Sequence, residues 1–167
     1  TTDELAERMA KLEPVAMRLE VKEGQKGCTL INDSYNSDVN SLDIALDFMN
    51  RRPDHNGRKR TLILSDIYQS GESSDMLYHT VSDLAKKRGV EKFIGIGSEL
   101  SAAADTIEID EKWFFDDCES FIDSEVFDAL ENEVILLKGA RKFGFDRLTE
   151  LLVQKVHETV LEVNLNA

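Results

Sequence analysis

Residues 28–49 read CTLINDSYNSDVNSLDIALDFM, and this stretch decides the fold. Cys28 to Ile31 is a short apolar run that stops abruptly at Asn32 and Asp33, the pattern of a buried strand. From Asp38 the period changes. Val39, Leu42, Leu46 and Met49 recur at helical spacing with Ala45 and Phe48 beside them, and Ser37 or Asp38 can cap the start. A strand that empties into a polar loop and then a helix is half of a β-α-β unit. The same pattern recurs along the chain. Residues 61–66, TLILSD, lead through IYQSGESS to a helix carrying Leu77, Val81, Leu84 and Ala85 that ends at Gly89. Residues 90–97, VEKFIGIG, form a third strand ending in glycine, and a short helix follows at ELSAAAD. Lys112 to Phe115 reads as a short strand, and Asp117 to Phe127 as one short helix or two. Residues 132–141, NEVILLKGAR, give a strand over Val134 to Leu137, and a last helix carries Leu148, Leu151, Leu152 and Val156.

Upstream, Thr1 to Leu12 reads as a short leading helix. After Pro14, VAMRLEVKEG alternates with a period near two from Val15 to Val21 and is ended by Gly24, a further strand. Unbroken apolar strands alternating with helices predict an α/β fold whose mostly parallel sheet has helices on both faces. Ligands of such sheets bind beyond the carboxyl ends of the strands. That rule selects four loops: 32–38, 66–71, 95–99 and 138–144.

Composition narrows the function classes. The 167 residues include 20 Lys and Arg against 33 Asp and Glu, a formal net charge of −13. Such a surface repels phosphate backbones, so no nucleic-acid partner is expected, although one local basic pocket for an anion remains compatible with it. No apolar run is long enough to cross a bilayer, so no membrane partner is expected, and the charged opening TTDELAERMAKLE does not read as a signal peptide. Cys28 and Cys118 lack any C-x-x-C spacing, and His55, His79 and His157 are scattered, so no metal site is read and a cytoplasmic location is expected. There is no Walker A motif, no G-x-G-x-x-G after a strand and no G-x-S-x-G elbow, which argues against a self-sufficient nucleotide hydrolase or acyl-transfer enzyme.

Three strand-end constellations remain. In NDSYNSD, Asp33 is placed to accept hydrogen bonds from ribose hydroxyls, while the same residues also serve as ordinary turn and cap formers. In KGAR, Gly139 permits close approach of backbone to a ligand and Arg141 can hold a carboxylate through two parallel hydrogen bonds; a surface pair beside a helix terminus is the plainer alternative. In SDIYQSG, Asp66 and Gln69 can meet a polar ligand or simply turn the chain into the next helix.

Taken together, RLEV at 18–21, LINDSYNSDVNSLDIAL, TLILSDIYQSG and ILLKGAR resemble the C-terminal domain of the Mur ligases, and within them most closely the MurF type, which joins D-alanyl-D-alanine to UDP-N-acetylmuramoyl-tripeptide. The resemblance covers about Leu12 to Val156. It implies a Rossmann-like domain of a three-domain, ATP-dependent amide ligase in peptidoglycan synthesis. Such enzymes make an acyl phosphate that the incoming amine attacks. The phosphate loop, the Mg2+ ligands and a carbamylated lysine belong to the central domain, so this chain alone is expected to be inactive. The expected partners are ATP, the dipeptide, the UDP-linked tripeptide, and the central and N-terminal domains.

The same resemblance implies residue roles. Arg18 matches an arginine that reaches ATP, Asp33 the acid on the ribose, and Tyr35 and Asn36 the neighbourhood of adenine and ribose. Asp66 and Gln69 match the loop that reads the acceptor in sibling ligases, and Lys138, Gly139 and Arg141 the element that binds the dipeptide. Two departures stand out: 65–71 reads SDIYQSG where the MurF type has roughly G-D-M-L-E-L-G, and Ala140 replaces the serine of K-G-S-R. A domain over residues 1–157 is therefore expected. The tail 158–167, within HETVLEVNLNA, resembles the opening strand of an alanine racemase, which implies pyridoxal phosphate (PLP) in a downstream fused domain; a terminal strand of this domain's own sheet is the alternative. Two rival functions are a folylpolyglutamate-type ligase, which places a histidine where Asn36 stands, and a non-catalytic α/β interaction module resembling a receiver, which leaves Arg18, Tyr35 and Arg141 without a role.

Overall fold

The structure, a computed structural model, describes residues 19–33, 38–52, 57–67 and 73–153, with Arg141 described by its backbone. Six strands form one sheet: β1 (Glu20–Glu23), β2 (Thr29–Asn32), β3 (Lys59–Ser65), β4 (Lys92–Ile96), β5 (Glu111–Phe115) and β6 (Glu133–Lys138). Their order is β1-β2-β6-β3-β4-β5, with β1 antiparallel to β2 and every other pairing parallel. The α/β sheet read from the sequence is therefore present. β1 and β2 are antiparallel because a tight hairpin joins them: Gly24 N–H donates to the Cys28 carbonyl at 2.8 Å, and Lys26 takes a left-handed φ of 52°. The strand expected from Val15 begins, within the described residues, at Glu20; the leading helix at Thr1 to Leu12 lies outside them.

Among the described residues helices follow the strands: α1 (Val39–Arg51), α2 (Ser74–Lys87), α3 (Ser98–Ala102), α4 (Cys118–Ile122) and α5 (Glu125–Asp128). A last helix, α6, spans residues 145–153. Asp38 caps α1, its carboxylate accepting the Ser41 N–H at 2.8 Å, and Ser73 caps α2. Of the two cap candidates read before α1, Asp38 fills the position.

The alternation of side chains along each strand divides the core in two. One face carries Ile31, Leu62, Leu64, Val134 and Leu136 beneath α1 and α2. The other carries Leu30, Ile63, Ile94, Ile135 and Leu137 beneath α4, α5 and α6. Helices thus cover both faces, and β4 and β6 are buried along their whole length, which is why residues 93–96 and 134–137 are unbroken apolar sequence. Each fully buried Leu or Ile contributes roughly 1.5–3 kcal/mol relative to exposure. At the amino end of the sheet a buried pair, Lys92 and Glu133 at 3.4 Å, is joined by the Thr61 hydroxyl, which donates to Glu133. No helix among the described residues is long and apolar enough to cross a membrane.

Candidate functional site

All the strand-end residues singled out in the sequence that fall within the described residues lie at the carboxyl edge of the sheet. Parallel pairing of β2 with β6 sets Ile31 beside Leu136 and Asn32 beside Leu137. The next step of that register brings Asp33 beside Lys138, and the Asp33 N–H donates to the Leu137 carbonyl at 2.8 Å. The Lys138 ammonium then meets the Asp33 carboxylate: Nζ lies 2.9 Å from Oδ2, with the two side chains 0% and 6% exposed. Burial pushes the Asp33 carboxyl above its ordinary pKa, the Lys138 hydrogen bond and charge oppose the rise, and the charge of Asp38 adds to it. A carboxylate has about four lone-pair directions, so the bond to Lys138 leaves Asp33 with acceptor capacity for hydroxyl donors.

On its other side β6 pairs with β3, with Leu64 opposite Lys138. The chain leaving β6 is fixed to β3 by the Ala140 N–H, which donates to the Ser65 hydroxyl at 3.0 Å. Gly139 lies against the ring of the fully buried Phe145; a Cβ at position 139 would sit 2.5–2.7 Å from three ring atoms. Only glycine allows α6 to pack this close to the loop. Arg141 opens a 3-10 turn, Arg141–Phe143, immediately beyond. Lys142, Phe143 and Gly144 then border a cavity of about 290 Å3 shared with Cys118 and Ile122.

Asp66 has a different setting. It is 1% exposed, and its carboxylate accepts the Glu99 N–H at 3.2 Å and the Leu100 N–H at 2.8 Å, closing the amino end of α3 from another strand. Gly97, with φ +132°, lies so close that a Cβ there would collide with that carboxylate. The Tyr78 hydroxyl accepts the Ile67 N–H at 3.2 Å and faces Glu99 at 3.5 Å, holding the start of the loop; burial drives its pKa upward.

Of the nine residues singled out, then, Asp33 and Lys138 are in direct contact, and Gly139 and Arg141 follow on the same loop. Asp66 sits at the same edge with its carboxylate turned onto α3. Arg18, Tyr35, Asn36 and Gln69 lie outside the described residues. The sequence reading grouped Asp33 with ATP and Lys138 with the acceptor, whereas the fold makes them one ion pair. Ser65, Tyr78 and Phe145 have no role in the sequence reading: Ser65 meets Ala140 from 75 residues away, and the contacts of Tyr78 with Ile67 and of Phe145 with Gly139 carry no local signal. Among the described residues no group of three or more side chains is arranged to hold a metal ion.

Comparisons with known proteins agree with this architecture. The family model described as "Mur ligase, glutamate ligase domain" matches residues 17–141. The UDP-N-acetylmuramoyl-tripeptide–D-alanyl-D-alanine ligase of Escherichia coli K12 is 25% identical over 154 residues, covering 91% of this chain and 33% of its own length. That of Buchnera aphidicola is 28% identical over 142 residues, covering 84% and 30%. The chain thus spans about a third of the length of the curated relatives it matches. The crystal structure of MurF ligase from Thermotoga maritima in complex with ADP superposes with a TM-score of 0.63 at 17% identity, covering 85% of this chain and 31% of that one, a likeness of fold. A match running from the start of the first strand to the loop after the last, on a sheet with this site at its carboxyl edge, places the chain in the Mur ligase family as its C-terminal domain.

Proposed function

We propose that the chain is the nucleotide-closing and acceptor-binding part of an ATP-dependent amide ligase that adds D-alanyl-D-alanine to UDP-N-acetylmuramoyl-tripeptide. The observation that carries this reading is the Asp33 carboxylate, ion-paired yet with acceptor capacity left, at the carboxyl edge beside the loop that ends in Arg141. The two relatives named for that reaction support the choice of acceptor.

In this reading Asp33 accepts hydrogen bonds from the ribose hydroxyls of ATP, with Arg18, Tyr35 and Asn36 completing that side. The phosphates, Mg2+ and the UDP-linked tripeptide are bound chiefly by the central and N-terminal domains. ATP activates the tripeptide carboxylate as an acyl phosphate; the dipeptide amine attacks the acyl carbon and phosphate leaves. What this chain contributes to that step is position. Arg141 holds the dipeptide carboxylate so that the unprotonated amine lies near the acyl carbon, the kind of orientation that supplies a large share of a two-substrate rate. Gly139 and the bond from Ala140 to Ser65 fix the loop that carries Arg141. Asp66 then serves the loop framework, and Gln69 is the acceptor-side candidate of the 66–71 loop. The chain by itself has no ligase activity in this reading. The racemase reading of residues 158–167, and PLP with it, is a separate proposal decided by the coding sequence beyond Ala167.

The test is a ligase assay on the full polypeptide with a panel of acceptors. D-alanyl-D-alanine is the preferred acceptor. Arg141→Lys keeps the charge but loses the parallel pair of bonds, so KM for the dipeptide rises about tenfold while that for ATP stays within twofold or so. Wild-type dipeptide kinetics in both Arg141→Lys and Arg141→Ala would place the carboxylate elsewhere.

A further inference from the structure

We propose that Lys138 is a positioning residue for Asp33: its ammonium fixes the carboxylate at the nucleotide side of the site, and it takes no direct part in holding the acceptor. The inference rests on the ribose reading of Asp33 and goes beyond it by moving Lys138 from one substrate to the other.

The geometry carries it in three steps. First, Asp33 directly follows β2 and Lys138 ends the adjacent parallel β6, so the 2.9 Å contact follows from continuing the β2–β6 register rather than from a side chain reaching across a surface. Secondly, Lys138 is fully buried while Asp33 retains slight exposure. A ligand arriving at the edge meets Asp33 and not the ammonium behind it. A carboxylate from the dipeptide would reach Nζ only by displacing the chain around it. Thirdly, the protonation of Asp33 depends on this neighbour. The charged groups facing it among the described residues are Lys138 on β6 and Asp38 at the cap of α1, and of these only Lys138 favours the ionised form. Without Lys138, burial and Asp38 both favour the neutral acid. The neutral acid has less capacity to accept from ribose hydroxyls.

The sign of the effect is therefore fixed. In Lys138→Met the carboxyl of Asp33 loses the one neighbour that favours its ionised form and binds a proton more readily, nucleotide recognition weakens, and raising the pH restores it as the proton leaves. Steady-state kinetics of the full polypeptide with both substrates, at pH values from about 6 to about 9, test this. In Lys138→Met, KM for ATP rises about tenfold or more near neutral pH and the rise shrinks toward the alkaline end, while KM for the dipeptide stays within about twofold. Lys138→Arg, which keeps a cation, returns part of the ATP affinity and flattens the profile. Asp33→Asn raises KM for ATP by a similar factor at every pH.

Each other pattern decides against the proposal. A rise confined to the dipeptide makes Lys138 an acceptor residue. A rise for ATP of equal size at every pH makes its role structural. An unchanged ATP dependence in Asp33→Asn overturns the ribose reading itself, a distinct failure visible without any Lys138 variant. Should Lys138→Met fail to fold, the carboxyl carbon shift of Asp33 in the wild-type chain answers the same question: an ionised Asp33 at neutral pH supports the proposal, and a protonated one overturns it.

Discussion

Substituting Gly139 by alanine joins the packing of this domain to its proposed chemistry. The new Cβ would stand 2.5, 2.6 and 2.7 Å from Cδ2, Cε2 and Cγ of Phe145. Carbon atoms in ordinary contact lie about 3.5–4.0 Å apart, so the overlap is about 1 Å against three atoms at once. The ring cannot yield easily, since Phe145 is fully buried in the cluster that holds Leu137, Leu148 and Leu152. Gly139 is not among the residues of positive φ, so the cost is steric and not conformational. Overpacking of this kind costs roughly 1–3 kcal/mol, and three ring contacts argue for the upper half of that range. Relief by a backbone shift would pull the Ala140 N–H from Ser65 and carry Arg141 with it. A displacement near 1 Å at a positioning residue can lower kcat/KM by about 10²-fold. Urea unfolding of Gly139→Ala, Phe145→Leu and the double variant reads the stability part. The double variant should be more stable than the sum of the two single losses by about 1–2 kcal/mol, since the smaller side chain admits the methyl group. A single-variant loss below about 0.5 kcal/mol, or strict additivity, refutes the packing argument.

Two further outcomes follow from the same geometry. Asp66→Ala leaves the Glu99 and Leu100 N–H groups at the start of α3 without their acceptor and should cost about 1–2 kcal/mol in urea unfolding; a loss of only a few tenths would mean that α3 begins without that cap. Burial, reinforced by the charge of Asp117 and opposed by that of Arg147, pushes the Cys118 thiol up to about 12. At mildly alkaline pH almost none of it is thiolate, so disulfide exchange with an aromatic disulfide reagent should be far slower in the native chain than in urea; labelling at the unfolded rate would contradict this placement.

Much of the fold is legible in the chain because the strands announce themselves. Residues 62–64 and 134–137 are apolar without interruption, as the middles of doubly covered strands must be, and Leu42, Ala45, Leu46 and Met49 mark the buried stripe of α1. The carboxyl-edge rule then finds Asp33, Asp66 and Lys138 to Arg141 as one neighbourhood. What the sequence conceals is which of them touch. Asp33 and Lys138 are 105 residues apart, and their pairing depends on β6 inserting between β2 and β3, a choice of strand order that no local pattern encodes. Asp66 reads as a loop residue open to a ligand because its partners, Glu99 and Leu100, begin a helix after a different strand. Gly139 looks like a glycine kept for a ligand's approach, but the group approaching it is the ring of Phe145.

The central claim, that Asp33 receives the ribose of ATP, is tested most directly by removing the hydroxyls from the nucleotide and the carboxylate from the protein in turn. KM is measured for ATP and for its 2′-deoxy and 3′-deoxy analogues with wild-type full polypeptide and with Asp33→Ala. A hydrogen bond to a charged acceptor contributes roughly 1.5–3 kcal/mol, so the wild type should favour ATP over at least one analogue by about tenfold or more. Asp33→Ala should raise KM for ATP toward that of the analogue and bring their ratio close to one, with KM for D-alanyl-D-alanine little changed. A variant that still distinguishes ATP from both deoxy analogues as the wild type does would contradict the account.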